Sequence, residues 1–245
     1  MKKALASILA AMMILGIGAA GARAEEEPAA EETKSVEAPP GMEELKLVLP
    51  RPMFQGTPTN IVTENLDPRT GRMRPPFFVP EGSTNVALGK PVTSSDPWPI
   101  IGELDMVTDG DKSGIDGTYI ELGPGPQWVQ IDLGRPYALH AIVVWHFHAS
   151  ARVYRDVVVR VGNDPEFKEG VKIVYNNDHD NTSGFGKGKD HEWIETNEGR
   201  LIDPKGVVAR YVRLHSNGNT ATDQNNYVEV EVYATPPKEN PAEES

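Results

Sequence analysis

The chain contains no cysteine. Disulfides are therefore excluded, and so is lipid attachment through an N-terminal cysteine. It is also short of positive charge, with 24 Lys and Arg against 36 Asp and Glu and a formal net charge of -12. Such a surface repels phosphate and argues against nucleic acid; cations, neutral sugars or basic partners suit it better. No apolar run beyond the N-terminus is long enough to cross a bilayer, so no membrane insertion is expected of the remainder. No stretch holds a sustained helical period either, which turns attention to strands.

What is present begins with an export signal. Lys2 and Lys3 precede an apolar run from Ala4 to about Ala20, and Ala22-Arg23-Ala24 supplies the small-x-small cleavage pattern. Cleavage after Ala24 is expected, giving a secreted, periplasmic or cell-surface protein. Losing three positive charges moves the net charge from -12 to -15 (-12 minus 3).

Residues 25–44 read as a disordered acidic spacer, too poor in large apolar side chains to repay the entropy of folding. Prolines every few residues in 45–82 exclude a long helix, while Phe54, Phe77, Phe78 and Val79 give that stretch something to bury. It reads as an extended arm docked on the domain that follows. Residues 83–235 suffice for one core, and 236–245 form a disordered tail.

Within 83–235 the patterning is β throughout. QWVQIDLG (127–134), HAIVVWHFH (140–148), VYRDVVVRVG (153–162), VKIVY (171–175), VVARYVRLH (207–215) and NYVEVEVYA (226–234) are short, β-branched or aromatic, and separated by Gly, Asn and Asp turns. Strands without alternating helices predict an all-β fold, an antiparallel β-sandwich or jelly roll.

Several motifs recur in a known order: NVALGKPVTSS (85–95), VTDGD (107–111), WVQIDLG, VVARYVRLHSNG and the closing VEVEVYA. In this order and spacing they resemble the discoidin family, the C-type domain of coagulation factors V and VIII, which includes bacterial family 32 carbohydrate-binding modules. The resemblance implies a discoidin-like jelly roll that binds through loops at one end and performs no catalysis. Many animal members join their ends with a disulfide; this chain lacks one. The resemblance also implies a structural calcium held by the Met106 carbonyl, Asp109, Asp111, Thr118, the Val228 carbonyl and Glu229, although the insertion KSGI lengthens the loop before Thr118. A plain Asp-Gly turn capped by its own side chains is the alternative.

His140, His146 and His148 share parity, which places them on one face of a strand that leaves the core and presents its end to solvent or ligand. A zinc site would need a third ligand such as His179 or Asp178; a neutral histidine bonding a sugar hydroxyl requires none. Arg152, Tyr154 and Arg155 follow, in a loop that lines the binding face of sugar-binding relatives, and Arg152 offers a donor fork to hydroxyls or a carboxylate.

The segment DHDNTSGFGKGKDHEW (178–193) has neither the spacing nor the following helix of a phosphate loop, since HEWIE reads as a strand. A triad from Ser183, His179 and Asp178 lacks an oxyanion hole and the separation such geometry needs. Asn177, Asp178, His179 and Asn181 instead offer short polar groups, and Phe185 an aromatic face, as a sugar requires. Trp98 is either a stacking platform or a plug of the sandwich end. The expected function is an exported, non-catalytic module for a glycan or cell-surface polysaccharide. The alternative is a structural or adhesion protein gripping an envelope protein.

Overall fold

Val129, Ile131 and Leu133 alternate with Trp128, Gln130 and Asp132, and the first set is wholly buried. This alternation starts a long strand that organises everything else. The structure, a computed structural model, describes residues 37–56, 58–68 and 73–238, within one compact unit spanning Glu37–Ser245. The expected signal peptide at 1–24, most of the spacer and the end of the tail lie outside the described residues.

Among the described residues there are eleven strands: β1 Met42–Glu44, β2 Phe78–Pro80, β3 Thr84–Asn85, β4 Val92–Ser94, β5 Ile120–Leu122, β6 Gln127–His146, β7 Val158–Gly162, β8 Lys172–Asn176, β9 Arg200–Ile202, β10 Val207–Ser216 and β11 Asn225–Thr235. The one helical element among them is a short 3-10 turn, Leu104–Thr108. β1 and β2 form a two-stranded ribbon; the rest join one antiparallel system in the order β3-β11-β6-β10-β7-β8, with β4 and β9 on β6 and β5 on β11. The fold is the all-β sandwich that the strand pattern predicts.

The sequence reads 127–134 and 140–148 as separate strands, but both belong to β6. Its first part pairs with β10 (Gln130 opposite Arg213) and its last part with β11 (Val144 opposite Val230). Residues 133–136 are skipped in the β10 register. Both ends of β6 then meet near Asn225, whose Nδ2 donates to the Gly123 and Gly125 carbonyls at 2.9 Å while Tyr227 pairs with His146. One strand thereby serves both layers, with Ile131, Leu133, Ile142, Val144, Val212, Leu214, Val230 and Val232 between them.

The last part of β6 is buried on both faces, which its nearly continuous apolar run records. Ile142 and Val144 face the core; Val143 and Trp145, with Val228, form a second cluster on the outer side, against which Leu47 and Leu201 pack. Pro50 and Asn65 make further contacts with the domain: Asn197 Nδ2 donates to the Pro50 carbonyl at 3.0 Å, and the Glu192 amide donates to the Asn65 carbonyl. HEWIE is not the strand its composition suggests. Only Glu192 makes a bridge, parallel to Leu66, because this segment meets residues 65–67 rather than the sheet.

Candidate functional site

Loops from several strand ends converge at one end of the sandwich. Gly123 donates its N–H to Asp96 Oδ2 (3.2 Å), Tyr154 bridges Asn219, and Asn217 Nδ2 donates to Asp156 Oδ2 (2.8 Å). Val157 donates its amide to Asn177 Oδ1 at 2.6 Å and draws in the segment after β8. Loops 95–101, 123–126, 147–157, 177–190 and 217–224 thus form one continuous rim.

Loop 177–190 is held by its own polar side chains. Asp178 is fully buried; its two carboxylate oxygens accept the amides of Thr182 (3.0 Å) and Ser183 (2.8 Å). Asn181, with φ at 67°, accepts the Gly186 amide at 2.6 Å. Gly188 lies so close to Asn176 that a Cβ would collide with the Asn176 carbonyl, and its amide donates to the Asp178 carbonyl at 2.7 Å. A side chain there is excluded by close approach, not by the needs of a phosphate. The carboxylate a Ser183–His179–Asp178 triad would use is already bonded to two amides.

The structure does not gather the sugar-binding residues expected from the sequence. His146 is not at a solvent-facing strand end but wholly buried, on the inward column after Ile142 and Val144. Its ring stacks on Tyr154 at 4.3 Å, and Nδ1 lies 2.6 Å from Glu195 Oε1. His148 is also buried, with Nε2 bonded to the Lys112 carbonyl at 2.9 Å. The two rings look to different partners and do not share a metal. Asn177 and Asp178 are buried as loop supports. Arg152, half-buried, lies over the Phe147 ring (4.4 Å) and donates to Ser150 Oγ (2.7 Å). His179 is half-buried and Asn181 exposed. Phe185 packs elsewhere, 4.3 Å from the Arg160 guanidinium and 4.7 Å from the His215 ring.

Several of the expected calcium ligands do approach one another: Glu229 accepts the amide of Gly110, between Asp109 and Asp111, and Ser113 donates to Thr118. Asp109 Oδ1 accepts the Asp111 amide (2.7 Å), Asp111 Oδ1 accepts the Ser113 amide (2.8 Å), and Thr118 donates to the Ile115 carbonyl (2.9 Å). This is the capped-turn alternative. Met106 and Val228 were expected to contribute main-chain carbonyls; the Val228 side chain packs in the outer cluster. Glu229 is fully buried: Oε2 accepts the Gly110 amide at 3.0 Å, and Oε1 has no partner among the described residues. Burial first, then the neighbouring Glu231 and Asp109, raise its carboxyl to about 8. The positive charge beside these acids is Lys112, whose Nζ lies 2.6 Å from Glu231 Oε1 and 5.4 Å from the Trp145 ring centre. Asp109 and Asp111 each turn one carboxylate oxygen to an amide of their own turn, and Lys112 places a cation beside Glu231.

A different acidic group does converge. Ligand atoms of Asp156, Asp178 and Asp180 lie within 4.8 Å of one another and can hold a metal ion. Burial, followed by the charges of Asp178 and Asp180, raises the Asp156 carboxyl; bonds from Thr182 lower that of Asp180. The sequence reading used Asp178 but missed Asp156 and Asp180, because their approach depends on the Val157–Asn177 bond rather than on spacing.

Trp98 is not a plug. It is 85% exposed, on a loop fixed by Asp96, whose Oδ1 accepts the Trp98 amide at 3.2 Å. Its neighbour Ile100 is 59% exposed. An indole this free offers its apolar face to a ligand.

Residues 106–214 match the family model described as a NedA-like, galactose-binding domain of the F5/F8 type C class. The resemblance carried by the sequence motifs is met over that stretch. Among solved structures the chain is similar to the CBM32 of AlyQ in complex with 4,5-unsaturated mannuronic acid (19% identity, 59% of this chain and 95% of that one, TM-score 0.43). It is similar also to chitosan-binding module 1 from a chitosanase/glucanase of Paenibacillus sp. IK-5 (21%, 62% and 99%, TM-score 0.43). A third is the Streptococcus pneumoniae fucose binding module SpX-3 (18%, 62% and 98%, TM-score 0.44). No curated protein matches the chain.

Proposed function

We propose that this chain is an exported, non-catalytic carbohydrate-binding protein that holds its glycan at the loop end of the sandwich. The observation that carries the reading is the exposed indole of Trp98, beside exposed Ile100 on a rim that also carries polar side chains. A flat apolar face beside Asp, Asn and Arg side chains matches a sugar, which presents C–H groups on one face and hydroxyls around its edge. The match to a galactose-binding domain supports the same class of ligand. Of the residues expected from the sequence, Arg152, His179 and Asn181 retain the exposure that contact requires, while His146, His148, Asn177 and Asp178 shape the loops beneath. The test is a glycan array on residues 25–245: sugars retained by the wild type and lost in Trp98→Ala support the reading. An array with no sugar bound turns the assignment toward an envelope protein partner.

In this reading calcium is assigned to Asp156, Asp178 and Asp180, whose ligand atoms converge. Hard carboxylate oxygens suit a hard cation, and completing its six to eight ligands needs carbonyls or water. There it would tie loop 147–157 to loop 177–190 and hold the rim in shape. A melting temperature that falls on adding chelator, and does not fall in Asp180→Asn, is the expected outcome. An unchanged wild-type value removes calcium from the account.

A further inference from the structure

The chain contains three bonds at which an aspartate or asparagine precedes glycine: Asp109–Gly110, Asp116–Gly117 and Asn217–Gly218. At such a bond the glycine nitrogen, unhindered by a Cβ, can attack the side-chain carbonyl carbon and close a succinimide ring. The attack needs an amide that is not held elsewhere and a side chain able to turn. Two of the sites fail on both counts. Gly110 donates its amide to Glu229 Oε2 at 3.0 Å, while Asp109 Oδ1 holds the Asp111 amide at 2.7 Å. Gly218 donates its amide to Asn225 Oδ1 at 2.8 Å, and Asn217 Nδ2 donates to Asp156 Oδ2 at 2.8 Å. Exposure does not separate the sites, since Asp109 and Asp116 are both exposed.

Asp116 and Gly117 form the tip of a turn closed by the Thr118 amide on the Ile115 carbonyl at 3.1 Å. Gly117 has φ at 89°, in the region that the third position of a type II turn reserves for glycine. Neither the Asp116 carboxylate nor the Gly117 amide has a hydrogen-bond partner among the described residues. A Cβ built at Gly117 would meet nothing within 4 Å, so the ring has room to close. The loop is held on either side of this tip instead. The Lys112 carbonyl bonds His148 Nε2 at 2.9 Å, and Thr118 Oγ1 donates to the Ile115 carbonyl at 2.9 Å.

We propose that Asp116 is a modification site, where the folded chain rearranges spontaneously to isoaspartate while Asp109 and Asn217 are protected. The Gly117 nitrogen bonds to Asp116 Cγ as the C–OH bond of the protonated carboxyl breaks, and the hydroxyl leaves as water with the amide proton. Water then opens the ring. Opening at Cγ restores aspartate; opening at the main-chain carbonyl leaves the chain running through Cγ. No atom is gained or lost overall, and no oxidant or reductant takes part. The product inserts a CH2 group into the main chain inside the turn. Tyr119, which follows the turn, stands edge-on to Phe147 at 4.9 Å, and Arg152 lies over that ring, so the altered chain adjoins the rim.

The test incubates residues 25–245 in warm, mildly acidic buffer, native and unfolded in guanidinium. Isoaspartate is then located by peptide mapping with an Asp-directed protease, which does not cut at the rearranged residue. The quantity read at each site is the native rate divided by the unfolded rate. At Asp116 this ratio is expected to stay near that of the unfolded chain. At Asp109 and Asn217 it is expected to fall about tenfold or more, because each glycine amide must first leave its side-chain acceptor. Asp116→Glu, which disfavours the ring, is expected to lose the native signal at that position with an unchanged melting temperature. A ratio at Asp116 no higher than at Asp109 or Asn217 overturns the proposal, as does native isoaspartate that persists undiminished in Asp116→Glu.

Discussion

His215 shows how a single side chain sets a pH limit on this fold. It lies on β10 against Phe185, and burial, with the nearby charges of Arg160 and then Arg213, lowers its pKa to about 3. A histidine lowered in the folded state adds stability above its unfolded value near 6.5, and that stability is lost as pH falls toward 3. The slope is at most about 1.4 kcal/mol per pH unit for one proton, less any relief from partial exposure. Urea denaturation at pH 7 and pH 4.5 should therefore show a larger acid loss in the wild type than in His215→Gln. An equal loss would mean that the ring is not held neutral. His146 makes a different demand. With Glu195 it forms a wholly buried polar pair in an otherwise aromatic pocket of Tyr154, Tyr227 and Trp193. His146→Ala leaves the Glu195 carboxylate in the core with a cavity beside it. A loss of about 3 kcal/mol or more by chemical denaturation is expected.

At the scale of elements, the joint between β9 and the outer cluster leaves no room for a side chain at Gly199. Gly199 has φ at 63°, and a Cβ added there would lie 2.7 Å from the Trp145 ring. Trp145 in turn donates Nε1 to the Asn197 carbonyl at 2.9 Å. Gly199→Ala combines a strained backbone with a clash against a packed ring, so a cost of about 1–3 kcal/mol is expected, read as a lower urea midpoint. The same region shows what the sequence could reveal. The strands were legible because period-two patterns and β-branched runs report burial directly, as in Gln127–Gly134. The direction of HAIVVWHFH was not, because a run buried on both sides carries no alternation to say which residue faces the core. His146 therefore reads as a surface group although it lies inside. HEWIE failed for a related reason: its backbone bonds residues 65 and 67, and Trp193 packs against Tyr175 and His146, so its burial does not come from pairing with a neighbouring strand. Asp109 and Asp111 were legible as a turn, but the position of Lys112 beside Glu231 depends on a contact with β11 that spacing cannot express.

Over the whole molecule, the two layers form a frame whose function lies at its edges. An antiparallel sandwich with both ends of β6 at one rim fixes several loops to a common base, so their exposed side chains hold position without a helix or a disulfide. The formal charge of -12 is consistent with a ligand that is not polyanionic at the rim. The central claim is that the rim holds a neutral sugar through Trp98. It is tested most directly by measuring the affinity of the strongest neutral glycan from the array for the wild type and Trp98→Ala. Stacking of a ring on an indole is worth about 0.5–1.5 kcal/mol beyond the area it covers, so a loss of about tenfold or more with an unchanged melting temperature is predicted. Equal affinity in the two proteins would contradict the claim.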